Sequence, residues 1–125
     1  MKPTPYLFVY GTLKRGSQVP QRLQLDEKAH FVKEAVLQAK LFHLDEYPGA
    51  VLSDAEADLV YGELYELKDP DMTLADFDAY EGDEFTRQLV AVTFPEYGFP
   101  LECWAYLYRG PVDKLPPVPG GRFLV

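Results

Sequence analysis

The stretch from Pro5 to Gly16 reads Pro-Tyr-Leu-Phe-Val-Tyr-Gly-Thr-Leu-Lys-Arg-Gly, and it decides the fold. Five consecutive apolar or aromatic residues, Tyr6 to Tyr10, are typical of a short strand that is buried on both faces. The run stops at Gly11. A loop after such a strand can present several backbone N–H groups to one concavity, which makes an anion site or an oxyanion hole. The same pattern is equally that of a strand followed by a turn.

The composition limits the classes of protein to which the chain can belong. Its 125 residues suit one domain, which we expect to span residues 1–125, and 47% of them are hydrophobic. A net charge of -8 repels nucleic acid phosphates and anionic lipid, so we expect neither as a partner. The single cysteine, Cys103, allows no internal disulfide, and no run is long enough for a membrane span. These features fit a cytoplasmic protein, with its oligomeric state left open.

The order of predicted elements favours the α+β class, because the strands do not alternate regularly with helices. We predict a helix within residues 17–31 and another from Asp69–Pro70 to about Glu81, which Gly82 would end. Predicted strands cover residues 6–10, 32–44, 50–52, 59–67, 87–94 and 101–108, with turns at 47–49 and 95–100. The tail from 111 to 125 is predicted to be extended or irregular and to wrap the surface. The sheet would be mixed or antiparallel, either open or closed into a barrel. Within the fourth strand, Gly62 indicates a bulge or a close approach to the backbone.

Glu81 is the most unusual carboxylate of the chain. Helical spacing places it in phase with Leu74 and Phe77, the apolar stripe of the second helix. Burial on that stripe and the negative end of the helix dipole would both raise its pKa, as a general base near neutral pH requires. Alternatively, a glutamate at a helix end can turn to solvent, and Asp78 shares the same face.

Other charged residues are weaker candidates. We expect Glu63 and Glu66 to be edge or rim residues of a strand, and Asp83 and Glu84 to be solvated. Arg87 is expected to form a structural ion pair with Asp83 or Asp78.

Several established kinds of site are missing from the sequence. His30, His43 and Cys103 are too far apart to suggest a metal site, and we predict neither metal nor cofactor. No nucleophile elbow surrounds either serine, and the glycines match neither a P-loop nor a dinucleotide fingerprint. A loop of N–H groups with one buried carboxylate suits proton transfer with oxyanion stabilisation, as in an intramolecular acyl transfer.

The chain resembles the gamma-glutamylcyclotransferase-like family in four blocks that occur in the expected order. These blocks are Tyr10-Gly11-Thr12-Leu13-Lys14-Arg15-Gly16, Tyr47-Pro48-Gly49, Gly62-Glu63-Leu64-Tyr65, and Phe77-Asp78-Ala79-Tyr80-Glu81-Gly82 followed by Arg87. The resemblance implies a small barrel of five to six strands flanked by about two helices, with a cavity at its mouth.

The resemblance also implies an activity and a site. Members release 5-oxoproline and a free amine from gamma-glutamyl compounds, by attack of the glutamyl α-amine on its own γ-carbonyl. By matching position, Tyr10, Gly11, Thr12 and Leu13 would bind the substrate, and Glu81 would act as the general acid and base.

One departure from the family pattern keeps other functions open. Relatives often carry Tyr where this chain has Phe85, so a hydroxyl is missing there, and we expect Tyr106 or Tyr108 to line the pocket. The alternatives are a non-catalytic module of the same fold that binds a small ligand or a protein, and a cyclising lyase that acts on a larger gamma-glutamyl intermediate.

Overall fold

The computed structural model describes residues 4–11, 13–16, 20–44 and 47–123, apart from the side chains of Pro20, Gln21, Leu23 and Tyr97. The elements in chain order are β1 (Tyr6–Val9), α1 (Pro20–Lys28), β2 (Ala29–His43), β3 (Pro48–Leu52), β4 (Leu59–Leu67), α2 (Pro70–Glu81), β5 (Phe85–Phe94) and β6 (Tyr97–Tyr108). Short 3-10 helices cover Gly82–Glu84 and Pro119–Gly121. No helix in these described ranges is long and apolar enough to cross a membrane.

Five strands form a closed barrel in the order β2-β4-β1-β6-β5, which is closed by pairing between β2 and β5. The sixth strand, β3, pairs on the outside with the last residues of β2. The pairing of β1 with β6 is parallel, with Leu7 opposite Trp104, and the other pairings are antiparallel. The predicted α+β class with a small mixed barrel and about two flanking helices is therefore confirmed.

β1 lies between two hydrophobic cores, which explains its uninterrupted apolar sequence. Successive side chains of a strand point to opposite faces. Phe8 belongs with the residues that fill the barrel, whereas Leu7 and Val9 pack in a second core. That second core also contains helix residues, namely Leu25 of α1 and Leu74 and Phe77 of α2. The prediction of a strand buried on both faces is correct.

Gly62 lets β1 approach β4 closely, as predicted. A Cβ atom at this position would lie 2.3 Å from the carbonyl oxygen of Val9 and 2.7 Å from the ring of Phe8. Only the absence of a side chain leaves room for both.

α2 has the predicted length, and its end is set by Gly82. Gly82 has a φ of 71° and donates its backbone N–H to the carbonyl of Asp78. At the other end, Asp69 occupies the N-cap position, but its side chain makes no capping hydrogen bond. Instead the N–H of Thr73 donates to the backbone oxygen of Asp69, at 3.0 Å.

The first predicted helix is wrong in its extent. α1 ends at Lys28, and β2 begins at Ala29, so Ala29 to Phe31 are strand residues. These residues pair with Leu67, Glu66 and Tyr65 of β4. The ladder therefore overrides a weak local preference for helix.

Two predicted turns are also partly wrong, because strands begin earlier than the proline and glycine content suggests. Pro48 and Gly49 belong to β3, and just before them the N–H of Leu44 donates to the carbonyl of Tyr47 at 3.0 Å. The turn at Pro95 is short, and Tyr97 already pairs with Phe94. Proline is tolerated as the first residue of a strand, where its missing N–H leaves no ladder bond unmade.

The tail beyond β6 takes the irregular course of the two that the sequence allows. The N–H of Leu115 donates to the carbonyl of Val112, a 3-10 helix covers Pro119–Gly121, and Val118 packs in the barrel core. Its backbone runs along the end of β2, where His43 donates to Pro116 and Val118 donates to Leu41, each at 2.8 Å.

Candidate active site

A cavity of about 460 Å³ opens at the end of the barrel where β1 ends, and the C-terminal end of α2 forms part of its wall. The residues that line it come from β1 and its loop, the start of β3, the end of α2, and strands β5 and β6. They are Phe8, Val9, Tyr10, Gly11, Leu13, Tyr47, Pro48, Tyr80, Glu81, Glu84, Phe85 and Tyr106. Among the described lining residues the only charged side chains are two carboxylates.

Glu81 is the carboxylate inside this cavity. Leu74 and Phe77 on the same helix are buried, so helical phase carries Glu81 toward the barrel, as the sequence predicts. Burial raises the pKa of the Glu81 carboxyl from 4.5 to about 7. A carboxyl group with that pKa can accept and return a proton near neutral pH.

Asp78 lies one turn before Glu81 and has the opposite electrostatic character. Arg87 donates to it from Nε at 2.8 Å and from Nη2 at 3.2 Å, and Tyr106 donates its hydroxyl at 2.7 Å. Partial burial by itself would raise the pKa of Asp78, but the hydrogen bonds from Arg87 and Tyr106 outweigh it and lower that pKa. The predicted ion pair of Arg87 is therefore the one with Asp78.

Tyr106 reaches this network from inside the cavity wall. Burial first, and then the hydrogen bond to the Asp78 carboxylate, raise the pKa of its hydroxyl, so it stays protonated and acts as a donor. Of the two tyrosines suggested for the pocket, Tyr106 lines the cavity, whereas Tyr108 packs against Gly49 of β3.

The hydroxyl of Tyr10 is used within the protein. It donates to the carbonyl of Tyr106 and accepts the backbone N–H of Ala50 at 3.1 Å, so it joins β6 and β3 across the barrel mouth. Burial raises the pKa of the Tyr10 hydroxyl, and the charge of Glu81 raises it by a smaller amount. What Tyr10 offers to the cavity is therefore its ring.

Two of the other predicted substrate-binding residues, Gly11 and Leu13, line the cavity, and Thr12 lies outside the described residues. A Cβ atom on Gly11 would lie 2.9 Å from Cγ of Pro48, so glycine here allows the start of β3 to close onto the loop. The loop turns at this point, with the N–H of Lys14 donating to the carbonyl of Gly11 at 3.1 Å.

The outer part of the cavity is aromatic and acidic. The ring of Phe85 lies against Tyr47 and Tyr108, with centroid distances of 6.3 and 6.0 Å. The hydroxyl of Tyr47 donates to Glu84. Glu84 is exposed, as expected, but it also forms part of the cavity lining.

The expectation for Glu63 is wrong. It is a buried residue on β4 that accepts hydrogen bonds from Arg15 and Tyr65, while Glu66 on the same strand is exposed. The alternation of a strand does not predict this, because residue 63 is buried by the loop after β1, which is distant in sequence. Within the described ranges, no three His, Cys, Asp or Glu side chains gather where they could hold a metal ion.

The structure thus combines a small closed barrel, a cavity at its mouth and, in that cavity, a carboxyl group with a pKa of about 7. The sequence profile described as "Gamma-glutamyl cyclotransferase, AIG2-like" matches residues 7–125. The chain therefore belongs to the gamma-glutamylcyclotransferase family, as the motifs suggest.

Relatives and solved structures agree with this membership. The chain is 33% identical over 129 aligned positions to the gamma-glutamylcyclotransferase family protein YtfP of Escherichia coli K12, covering 94% of this chain and 95% of that protein. The solution NMR structure of E. coli YtfP superposes with a TM-score of 0.64 over 94% of each chain, at 34% identity. The crystal structure of an AIG2-like protein from Mus musculus gives a TM-score of 0.74 at 23% identity, over 99% of this chain and 97% of that one, and shows the shared fold.

Proposed function

We propose that the chain is a gamma-glutamyl cyclotransferase that releases 5-oxoproline and a free amine from a gamma-glutamyl amine or amide. The observation that carries this proposal is the Glu81 carboxyl group in the cavity, with a pKa of about 7. Family membership supports the class of reaction.

The proposed reaction is an intramolecular acyl transfer. The α-amine of the glutamyl group gives up a proton to Glu81 and attacks the γ-carbonyl carbon, which forms the new C–N bond of the five-membered ring. The carbonyl oxygen becomes an oxyanion. As the oxyanion collapses, the bond to the original amide nitrogen breaks, and Glu81 returns its proton to the departing amine. No water or external nucleophile is consumed.

Substrate binding is proposed to use the loop after β1. Backbone N–H groups between Gly11 and Leu13, with Thr12 between them, would receive the oxyanion or the substrate carboxylate. Backbone donors suit this task here, because no Lys or Arg side chain is present among the described lining residues. The ring of Tyr10 would form the wall against which the glutamyl chain packs.

The decisive experiment is Glu81→Gln, assayed by release of 5-oxoproline from a panel of gamma-glutamyl amines and amino acids. Turnover should fall by about 10²–10⁴, the usual contribution of a general acid and base. Asp71→Asn is the matched control, because Asp71 is an exposed carboxylate in the first turn of the same helix. Unchanged turnover in folded Glu81→Gln would overturn the proposal.

The second candidate, a binding module without turnover, is favoured by one observation. Phe85 lines the cavity at the position where the family pattern often has a tyrosine hydroxyl. Calorimetric binding of 5-oxoproline without amine release from any substrate of the panel would support this candidate.

A further inference from the structure

Two buried charged residues hold the loop that follows β1. Glu63 on β4 is only 8% exposed, and Arg22 on α1 is only 7% exposed. Charged side chains are rarely buried unless they are paired, since removal from water is unfavourable. The partners of these two residues therefore indicate what their burial achieves.

Glu63 accepts three hydrogen bonds, and two of them come from the loop. Its Oε1 accepts the backbone N–H of Arg15 at 2.9 Å and the hydroxyl of Tyr65 at 3.0 Å. Its Oε2 accepts Nε of Arg15 at 3.0 Å. The side chain thus uses both oxygens, and one of the three bonds acts on the main chain of the loop.

Arg22 holds the same loop through a second hydrogen bond, and its guanidinium group lies over the ring of Tyr65. Its Nη1 donates to the carbonyl oxygen of Leu13 at 3.3 Å, and its Nη2 pairs with Asp26 at 2.7 Å. The guanidinium carbon lies 5.2 Å from the centre of the Tyr65 ring. Tyr65 therefore contacts both charges, through its ring and through its hydroxyl.

Together these contacts fix consecutive peptide groups. The peptide group between Leu13 and Lys14 is held at its carbonyl by Arg22 and at its N–H by the carbonyl of Gly11, at 3.1 Å. The next peptide group is held at its N–H by Glu63. Rotation of the backbone is thereby restricted immediately after the residues that line the cavity.

We infer that Glu63 is a positioning residue for the reaction: it fixes the loop so that the backbone N–H groups of Gly11 and Leu13 face the oxyanion. This inference rests on the proposed function. Donors that are aimed at a developing oxyanion stabilise the transition state more than the bound substrate. A loosened loop should therefore lower kcat more than it raises KM.

The test variant is Glu63→Gln. The amide retains one acceptor oxygen but places an NH₂ group among three donors, so the donor set is no longer satisfied. We expect kcat for 5-oxoproline release to fall about 10- to 100-fold, while KM changes less than about threefold. This loss is smaller than the loss of about 10²–10³-fold that follows removal of an oxyanion-hole donor, because Glu63 acts on the donors only through the loop. Glu66→Gln, the same change at an exposed position of β4, should leave both constants unaltered.

A second variant changes the length of the side chain at position 63 without changing its charge. Glu63→Asp keeps the carboxylate but is one methylene shorter, so it should show the same selective loss of kcat, and it serves if Glu63→Gln does not fold. The inflection of the pH–rate profile near 7 should persist in both variants, because Glu81 is unchanged.

Two outcomes overturn the inference: folded Glu63 variants that retain wild-type kcat, or a loss of kcat that only follows the loss of folded protein. If the wild-type chain releases no 5-oxoproline, it is the proposed function that fails. The restraint of the loop by the hydrogen bonds between Glu63 and Arg15, here called the clamp, is then tested by amide hydrogen exchange. Exchange at Lys14 and Arg15 should be at least about tenfold faster in Glu63→Gln than in Glu66→Gln, and equal exchange refutes the clamp.

Discussion

Asp78 and Glu81 lie one turn apart on α2, yet their carboxyl groups have pKa values displaced in opposite directions. Asp78 accepts hydrogen bonds from Arg87 and Tyr106, which lower its pKa, whereas partial burial in the cavity raises the pKa of Glu81 to about 7. Under the proposed function, this separation makes Asp78 a permanent anion and leaves Glu81 as the group that exchanges a proton with the substrate.

The pH dependence of turnover should follow Glu81. The attacking amine needs the carboxylate form of Glu81. When kcat/KM is expressed per concentration of substrate with a neutral α-amine, it should therefore rise about tenfold per pH unit below pH 7 and level off above it, with an inflection near 7. The measurement is 5-oxoproline release between pH 5 and 8, together with carboxyl ¹³C shifts of labelled Glu81 over the same range. A rate that does not vary across this interval would contradict the assignment of Glu81.

Glu81→Gln should stabilise the protein at alkaline pH while it removes activity. Because the pKa of Glu81 is raised from 4.5 to about 7 on folding, the folded state binds the proton more tightly. Stability therefore declines as pH rises from 4.5 to 7, and the full penalty, at most about 3 kcal/mol, applies above 7.

The free energies of unfolding of wild type and Glu81→Gln should accordingly differ at pH 8 and converge near pH 4.5. Urea denaturation at the two pH values measures this difference. A Glu81→Gln variant that is less stable at pH 8 would mean that the carboxylate is well solvated in the folded state.

Removing Arg87 should weaken the packing of α2 on the barrel. Arg87 makes a two-point contact with Asp78, and its guanidinium carbon lies 4.3 Å from the centre of the Trp104 ring. Arg87→Met should reduce the free energy of unfolding by about 1 kcal/mol, given that the pair is partly exposed. Lys33→Met, which removes the more exposed pair with Glu96, is the control and should change stability by less than about 0.5 kcal/mol. Equal losses would show that the contact with Trp104 and Asp78 adds nothing.

Gly62→Ala should be strongly destabilising. The added methyl group would meet the carbonyl of Val9 at 2.3 Å and the ring of Phe8, so β1 and β4 would have to separate. Overpacking of this kind costs about 1–3 kcal/mol or more. Gly98→Ala is the matched change on β6, where a Cβ atom meets nothing within 4 Å. Its melting temperature, measured by thermal unfolding, should be close to that of the wild type. Similar melting temperatures for the two variants would refute the close approach.

Local patterns predict part of this molecule well. The position of Glu81 follows from helical periodicity, and the burial of β1 follows from its unbroken apolar run, because both depend on neighbours in sequence. The start of β3 at Pro48 and of β2 at Ala29 could not be predicted, since each is decided by a partner strand.

The candidate site shows the same division. Its ionisable glutamate and its loop can be predicted from the sequence, but the contacts that hold the loop and the neighbouring Asp78 cannot. Glu63 is separated from Arg15 by 48 positions and Tyr106 from Asp78 by 28, so no spacing rule brings them together. Only the closed barrel shows that Glu63 is buried beneath the loop.

The contact between the tail and β2 has a consequence for the behaviour of the protein at high concentration. The end of β2 lies beyond its pairing with β4 and pairs with β3. Its backbone also bonds to the tail: the N–H of His43 donates to Pro116, and the carbonyl of Leu41 accepts from Val118. An unpaired strand end is a template on which another chain can add a strand. Because the tail already occupies these backbone groups, they are not open to pairing with a strand of another molecule.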